Sequence, residues 1–250
     1  MTLPAIVEHL DAFLRTAEIS DWPGALNGLQ LENDGTVSRI GAAVDATLPV
    51  IEKAVFRGVD LLLVHHGLFW GGVQPYRGAH RQKLKLALEN NLAIYSSHLP
   101  LDLHPEVGNN AQLARRLGLT NLTPFFPEKG ALIGLRGELN LPRQELAARL
   151  ETILGHPPHL APGGPEQIRF VGIVTGGAGA EVARVAADGV DTFITGEGPH
   201  HSYGLAEELG MNLFYGGHYA TETFGVVALA SHLADRFGLP WQWIDHPSGL

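Results

Sequence analysis

Apolar Ile6, Leu10, Phe13, Leu14 and Ala17 recur at the three- and four-residue spacing of a helix face, and Trp22-Pro23-Gly24 closes that segment with helix-breaking residues. The chain therefore opens on an amphipathic helix. Short apolar runs follow. Ile40 to Val44 predicts a strand, and about Pro49 to Arg57 a helix with proline in its first turn and Gly58 beyond its end. Val59-Asp-Leu-Leu-Leu-Val64 is a continuous run, as expected of a strand covered on both faces. A helix near Arg81 to Asn90, a strand at Leu92 to Ser96 and a helix near Asn110 to Leu117 complete the first half. Strands alternating with helices imply an α/β fold with a mostly parallel sheet.

Two prolines in Thr123-Pro-Phe-Phe-Pro127 mark a joint, since neither can continue a helix. Ala131 to Leu139 then predicts a strand and Pro142 to Leu154 a helix, while Gly155 to Gln167, rich in proline and glycine, reads as an irregular connection. The second half repeats the first. Gly58-Val59-Asp60 matches Gly189-Val190-Asp191, and six residues beyond each Asp stand His66-Gly67 and Glu197-Gly198. Each half then reaches a strand followed by a histidine and, four residues on, a carboxylate: His98 and Asp102, then His218 and Glu222. The expected architecture is two interlinked, pseudo-repeated α/β units with mixed, mostly parallel sheets, divided at about 1–125 and 126–250. The C-terminal segment is free to pack on the first unit, and only the short stretch from about Thr123 to Gln167 lies between the halves, so no large inserted domain is expected.

Chemistry-bearing residues collect at predicted strand ends. His65-His66 follow the buried strand at its carboxyl end, the edge where open α/β sheets bind ligands. Neighbouring side chains there diverge, so two imidazoles reach two ions more easily than one; a surface pair is the plainer reading. His218-Tyr-Ala-Thr-Glu222 opens a helix, and its spacing puts imidazole and carboxylate on one face, suited to a bridging ligand. Helix capping by Thr221 or Glu222 accounts for the same segment. In Ser97-His98-Leu-Pro-Leu-Asp102, Asp102 reads as a loop carboxylate ligand, and His98 as a ligand, a proton shuttle or a structural hydrogen-bonding group. Glu197 and His201 in Glu197-Gly-Pro-His200-His201 are candidates for proton transfer or substrate contact, although a simple helix start explains them equally well. Thr175-Gly-Gly-Ala-Gly179 reads either as a phosphate cradle at a helix start or as a tight turn.

Composition narrows these options. Of 250 residues, 45% are hydrophobic and 17% charged, which excludes a disordered chain, and no apolar run is long enough to span a membrane. There is no cysteine, so disulfides, thiolate ligands and a thiol nucleophile are excluded together and any metal is held by nitrogen and oxygen. Thirteen histidines stand against that background. Three imidazoles and two carboxylates, His65, His66, His218, Asp102 and Glu222, suit two divalent ions (zinc, iron or manganese), with Glu222 shared and positions left for water. A hydroxide bridging two ions is a nucleophile at neutral pH. A net charge of −9 with no basic run gives no support to general nucleic-acid binding. The N-terminal residues lack the pattern of a signal peptide, so a cytoplasmic location is expected.

Asn27-Gly-Leu-Gln30, Val64-His-His-Gly-Leu-Phe-Trp70, Ser97-His-Leu-Pro-Leu-Asp102 with Gly108-Asn-Asn110, Thr195-Gly-Glu197 with His200-His201, and Gly217-His-Tyr-Ala-Thr-Glu222 together resemble the Nif-three-like family of GTP cyclohydrolase 1 type 2 homologues, over nearly the whole chain. The resemblance implies two interlinked α/β domains, a dinuclear divalent-metal centre and a toroidal homohexamer with the metals facing its interior. It implies that His65 binds one ion with His218, that His66 and Asp102 bind the other, and that Glu222 bridges both. His65-His66-Gly67 replaces an HHP variant of the family, a change expected in the pocket wall more than in ligation.

Two functions follow as expectations. One is a metal-dependent hydrolase of a nucleotide-like substrate, with His98, Glu197 or His201 moving protons; ring opening and phosphoester hydrolysis both need an activated water and are not separated by sequence. The other is a non-catalytic metal-binding ring that serves as an interaction or regulatory scaffold.

Overall fold

Two runs of alternating strands and helices make up most of the chain in the computed structural model, which describes residues 1–250. In chain order, α1 (Leu3–Leu14), β1 (Gly28–Leu31), β2 (Ile40–Asp45), α2 (Leu48–Phe56), β3 (Leu61–His66), α3 (Gly78–Glu89), β4 (Ala93–Ser96), α4 (Leu99–Asp102) and α5 (Asn109–Leu117) lead to β5 (Thr120–Glu128), β6 (Ala131–Pro142), α6 (Arg143–Leu154), β7 (His159–Pro162) and β8 (Gln167–Ile173). After a 3-10 turn at Gly179–Glu181 come α7 (Val182–Ala187), β9 (Thr192–Thr195), α8 (His201–Glu208), β10 (Asn212–Tyr215), α9 (His218–Phe237) and β11 (Trp241–Trp243). No helix is long and apolar enough to cross a membrane.

The chain forms two units, Met1–Val107 with Gly225–His246, and Gly108–Phe224 with Pro247–Leu250. The first holds a five-stranded sheet ordered β1-β4-β3-β2-β11, parallel except where β1 joins antiparallel to β4. One face of its core gathers Ile6, Leu10 and Leu14 of α1 with Leu61, Leu63 and Tyr95 of the sheet and Leu229 and Leu233 of α9. The other packs Val50, Ile51 and Ala54 of α2 on Leu62, Val64 and Ile94. Strand β3 is thus buried along its whole length, as its continuous apolar run predicts.

The second unit holds a six-stranded sheet ordered β5-β6-β8-β9-β10-β7. Here β8, β9 and β10 are parallel, but β5, β6 and β7 join antiparallel, so this sheet is more mixed than the alternation suggests. Thr123 to Pro127 is not a joint. It lies within β5, an edge strand whose single neighbour is β6, and proline is tolerated where no second ladder of hydrogen bonds has to be served. Because β5 pairs inside the second sheet, the division falls at Val107/Gly108 rather than near residue 125. The connection after α6 also contains the short β7, paired with β10.

The sequence repeat has a structural counterpart. Both Gly58 and Gly189 have positive φ, at 66° and 79°. In each unit the Asp two residues later turns its carboxylate back to the preceding strand, at the entry of β2 in the first and inside β8 in the second. Asp60 Oδ2 accepts the amides of Ser38 and Arg39 at 2.6 and 2.9 Å, and Asp191 Oδ2 accepts those of Arg169 and Phe170 at 2.9 and 3.1 Å. Each turn is followed by a strand, a helix and a second strand parallel to the first, β3 to β4 in one unit and β9 to β10 in the other. Replacing Asp60 or Asp191 by Ala hands two exposed amides back to water and is expected to lower the unfolding free energy by about 0.5–1.5 kcal/mol, read from urea midpoints. Asn at the same positions keeps an acceptor and should recover most of the loss. An Ala variant as stable as the parent would mean that the shared turn is incidental.

Candidate metal centre

In the first unit, three parallel strands end at one edge and deliver the polar groups there. His65 and His66 are the last two residues of β3, Asp45 is the last of β2 and pairs in register with His66, and Ser97-His98 follow β4. The two histidines thus lie within the strand rather than after it. His65, His66 and His98 are all buried. Their ligating nitrogens lie within 4.8 Å of one another, a grouping that could hold a metal ion.

What orients these rings is the partner of each Nδ1. His65 Nδ1 lies 2.9 Å from the Ser97 carbonyl, His66 Nδ1 2.9 Å from Asp45 Oδ1, and His98 Nδ1 2.9 Å from Asp21 Oδ1. A carbonyl or carboxylate oxygen only accepts, so each Nδ1 carries the proton and the lone pair is on Nε2. Imidazoles that bind metals are held in this way. Asp21 is in turn fixed by Asn27 Nδ2 at 2.8 Å and the Leu99 amide at 2.9 Å, while Asn27 Oδ1 accepts the His98 amide at 2.7 Å. Burial works against ionisation of Asp21, but the bonds from His98, Asn27 and Leu99 outweigh it and hold the carboxyl below its usual range.

Asp102 is the last residue of the short α4, not a loop residue, and its Oδ2 lies 3.6 Å from Nε2 of His65. Within this unit the carboxylate is therefore beside His65. The indole of Trp70 stands 4.4 Å from the His66 ring and 4.5 Å from that of His98, walling the group on one side. Gly67 is pressed against Gln30, and a Cβ there would collide with the side-chain amide. That amide is committed, receiving the Leu68 N–H and donating to the carbonyls of Ala25 and Leu26. The glycine in place of proline is thus a packing feature of the wall, and both rings keep their anchors.

The second unit repeats the logic with carboxylates. Glu197 follows β9, and its Oε1 lies 2.8 Å from Nδ1 of His218, the first residue of α9. One turn on, Glu222 Oε2 lies 3.2 Å from Nε2 of the same imidazole. Glu222 is buried at 3% exposure. Its other oxygen rests on Gly176, where φ is +73° and a Cβ would collide with it. Thr221 does not cap the helix; its hydroxyl donates back to the Gly217 carbonyl and receives the Gly176 amide at 3.1 Å.

The glycine turn 175–179 is accordingly a seat for Glu222 and not a phosphate cradle. Four of its five amides are spent internally, too many for a cradle to remain: Thr175 on Asn110 Oδ1, Gly176 on Thr221, Ala178 on Thr195 Oγ1 and Gly179 on the Glu197 carbonyl. Of the remaining candidates, Glu197 holds His218, and His201 is an exposed residue at the start of α8. His200, and not His201, lines the adjoining cleft with Glu197. Asp21 and Asp45 were not singled out as site residues from sequence, although Asp45 ends a recognisable strand and that position was the available signal. The imidazoles and carboxylates, each oriented by a fixed neighbour, fit a borderline divalent cation without thiolate.

Burial disfavours the imidazolium of His218, but the hydrogen bonds and charges of Glu222 and Glu197 outweigh it, and its pKa is raised to about 9. An unfolded histidine titrates near about 6.5, so this ion pair stabilises the metal-free fold fully below that pH, and the contribution is lost as pH rises through the folded value. Relative to His218→Gln, chelator-treated protein is expected to lose about 2–3 kcal/mol of unfolding free energy between roughly pH 6.5 and 9. Parallel profiles for parent and variant would refute the assignment. Metal competes with that proton, so its affinity should rise over the same interval.

The sequence matches the Duf34/NIF3 (NGG1p interacting factor 3) family over residues 1–247. It is 42% identical over 247 residues to a GTP cyclohydrolase 1 type 2 homolog of Deinococcus radiodurans, covering 98% of this chain and 93% of the relative. A protein of the same description from Halobacterium salinarum is 42% identical over 257 residues, with both chains covered fully. The crystal structure of TTHA1606 from Thermus thermophilus superposes with a TM-score of 0.91 at 43% identity, again over 100% of both chains. A whole-length family match, curated relatives sharing two residues in five and the same two α/β units have one reading: this chain is a member of the Duf34/NIF3 family.

Proposed function

We propose that the chain is a dinuclear divalent-metal protein and a metal-dependent hydrolase of a nucleotide-like substrate, with His65, His66, Asp102, His218 and Glu222 as ligands to zinc, iron or manganese. The observation that carries this reading is the anchoring of Nδ1 in every histidine of the set by an oxygen acceptor, which presents Nε2 in a fixed direction. The description of the curated relatives as GTP cyclohydrolase 1 type 2 homologs supports the substrate class. When bound, the ions supply Lewis acidity and a water activated at neutral pH.

The chain's own residues then divide the work. Asp45 and the Ser97 carbonyl keep His66 and His65 in one tautomer, and Glu197 does the same for His218. His98, with its Nδ1 proton held by Asp21, offers a basic Nε2 for taking or returning a proton. Trp70 restricts water on the side of His66 and His98.

Elemental analysis after metal loading is expected to return two equivalents per chain, falling to one or fewer in Glu222→Gln and His66→Ala; two equivalents retained in both would refute the ligand set. Incubation with GTP, following formate and ring-opened product, should show turnover that these substitutions reduce by at least about 10–100-fold, the cost of losing even a partner that only orients a metal ligand. A panel of metals giving no product from GTP or from phosphoesters would leave the metal-binding ring as scaffold and remove the hydrolase. The homohexamer belongs to the same proposal and rests on the family resemblance. Light scattering should give six chains per particle, and a monomer would exclude it.

A further inference from the structure

Beside Glu197, on the second unit, lies a cleft of about 480 Å³ that none of the foregoing roles uses. Its volume is within the usual range for small-molecule sites, about 300–1,000 Å³. Four of its lining residues carry aromatic rings, His159, His200, Tyr203 and Tyr215, and three of these lie against one another. His159 and Tyr215 are directly opposed across the antiparallel pair β7 and β10, so their rings share a face of the sheet. The His159 ring is 5.8 Å from that of Tyr215 and 5.7 Å from that of Tyr203, inclined at 31° and 38°. A planar guest inserted between two rings needs about 7 Å, twice the contact distance of stacked carbons. These rings form an open shelf, on which a flat guest lies rather than between two plates.

The polar rim accepts hydrogen bonds. The hydroxyl of Ser202, itself fully buried, donates to the Pro199 carbonyl at 2.6 Å. Its one proton is thereby used, so the Tyr215 hydroxyl 2.7 Å away is the donor in their contact and its oxygen remains an acceptor toward the cleft. Glu197 gives Oε1 to His218, and its second oxygen is the other acceptor on this rim. Flat aromatic faces beside acceptors select a planar ring that carries N–H donors.

We infer that this cleft is the subsite for the base of the substrate: a heteroaromatic ring with N–H donors, stacked on His159 and Tyr203 and hydrogen-bonded by Glu197 and Tyr215. The inference rests on the nucleotide-like reading above for the identity of its guest. It adds a reason for Glu197 to stand where it does, since one carboxylate then touches both the ring and the imidazole of His218.

Calorimetric titration of guanosine, adenosine and uridine into chelator-treated and zinc-loaded protein tests this without any turnover. Guanosine, whose ring edge offers N–H donors in a row, is expected to bind saturably and more tightly than uridine. Tyr203→Ala and His159→Ala should each weaken it at least about fivefold, the lower end of what one stacked base is worth, while Tyr203→Phe retains the parent affinity. Matching circular dichroism melts and metal contents would exclude misfolding as the cause. Saturable binding by none of the three nucleosides, or a dissociation constant within twofold of the parent in both Ala variants, would overturn the inference. Tyr203-dependent binding with no product under any metal would sustain it while removing the hydrolase. GTP turnover with a KM untouched by Tyr203→Ala would do the reverse.

Discussion

An imidazole has two nitrogens, and a metal site is best served by it when one of them is committed elsewhere. Here that commitment is made for each ring by an oxygen that can do nothing but accept: the Ser97 carbonyl for His65, Asp45 for His66, Asp21 for His98 and Glu197 for His218. The choice fixes the tautomer, the ring plane and the direction of the remaining lone pair at once. It also explains why polar residues remote from the histidines in sequence recur in the motif blocks. Asn27 positions Asp21 and the His98 backbone, Gln30 supports the turn after His66, and Asn110 holds the turn that seats Glu222.

These oxygens are in place because of strand ends. In each unit the parallel strands finish at one edge, and the loops leaving that edge carry the chemistry, as topology requires of an open α/β sheet. The two units share the turn built on Gly58-Val59-Asp60 and Gly189-Val190-Asp191, and the strand after it, but they differ in what the strand delivers. The first ends in two imidazoles. The second ends at Thr195 and passes through Gly196 to a carboxylate, Glu197, that serves an imidazole from the next step of the repeat. The same scaffold has thus been given complementary donors.

Burial raises the stakes of this arrangement. Glu222 is almost fully covered, and an ionised carboxylate in such a place is costly unless it is paired. In the metal-free protein His218 supplies the balancing charge, which is why its proton is held so far above the ordinary histidine range. A divalent ion would replace that proton. Metal binding, proton release and the pH dependence of stability are on this account one equilibrium observed in three ways.

The α/β class, most strands and helices, the repeat and the residues at strand ends were legible in the sequence, because hydrophobic period and turn chemistry act over a few neighbours and need no knowledge of the fold. The apolar run ending at Val64, for instance, announces a doubly covered strand, and histidines at its end follow. What tertiary structure decided is what depends on contacts between distant residues. Thr123 to Pro127 became an edge strand because β6 offered one side to pair with, and Asp102 sits beside His65 because α4 turns it there. The glycine turn 175–179 reads as an anion site until Asn110, Thr195 and Thr221 are seen to consume its amides. Asp21 and Asp45 carry no mark of their own in the chain; only folding brings a carboxylate to the back of each ring, and a local pattern holds no record of a partner contributed from so far away.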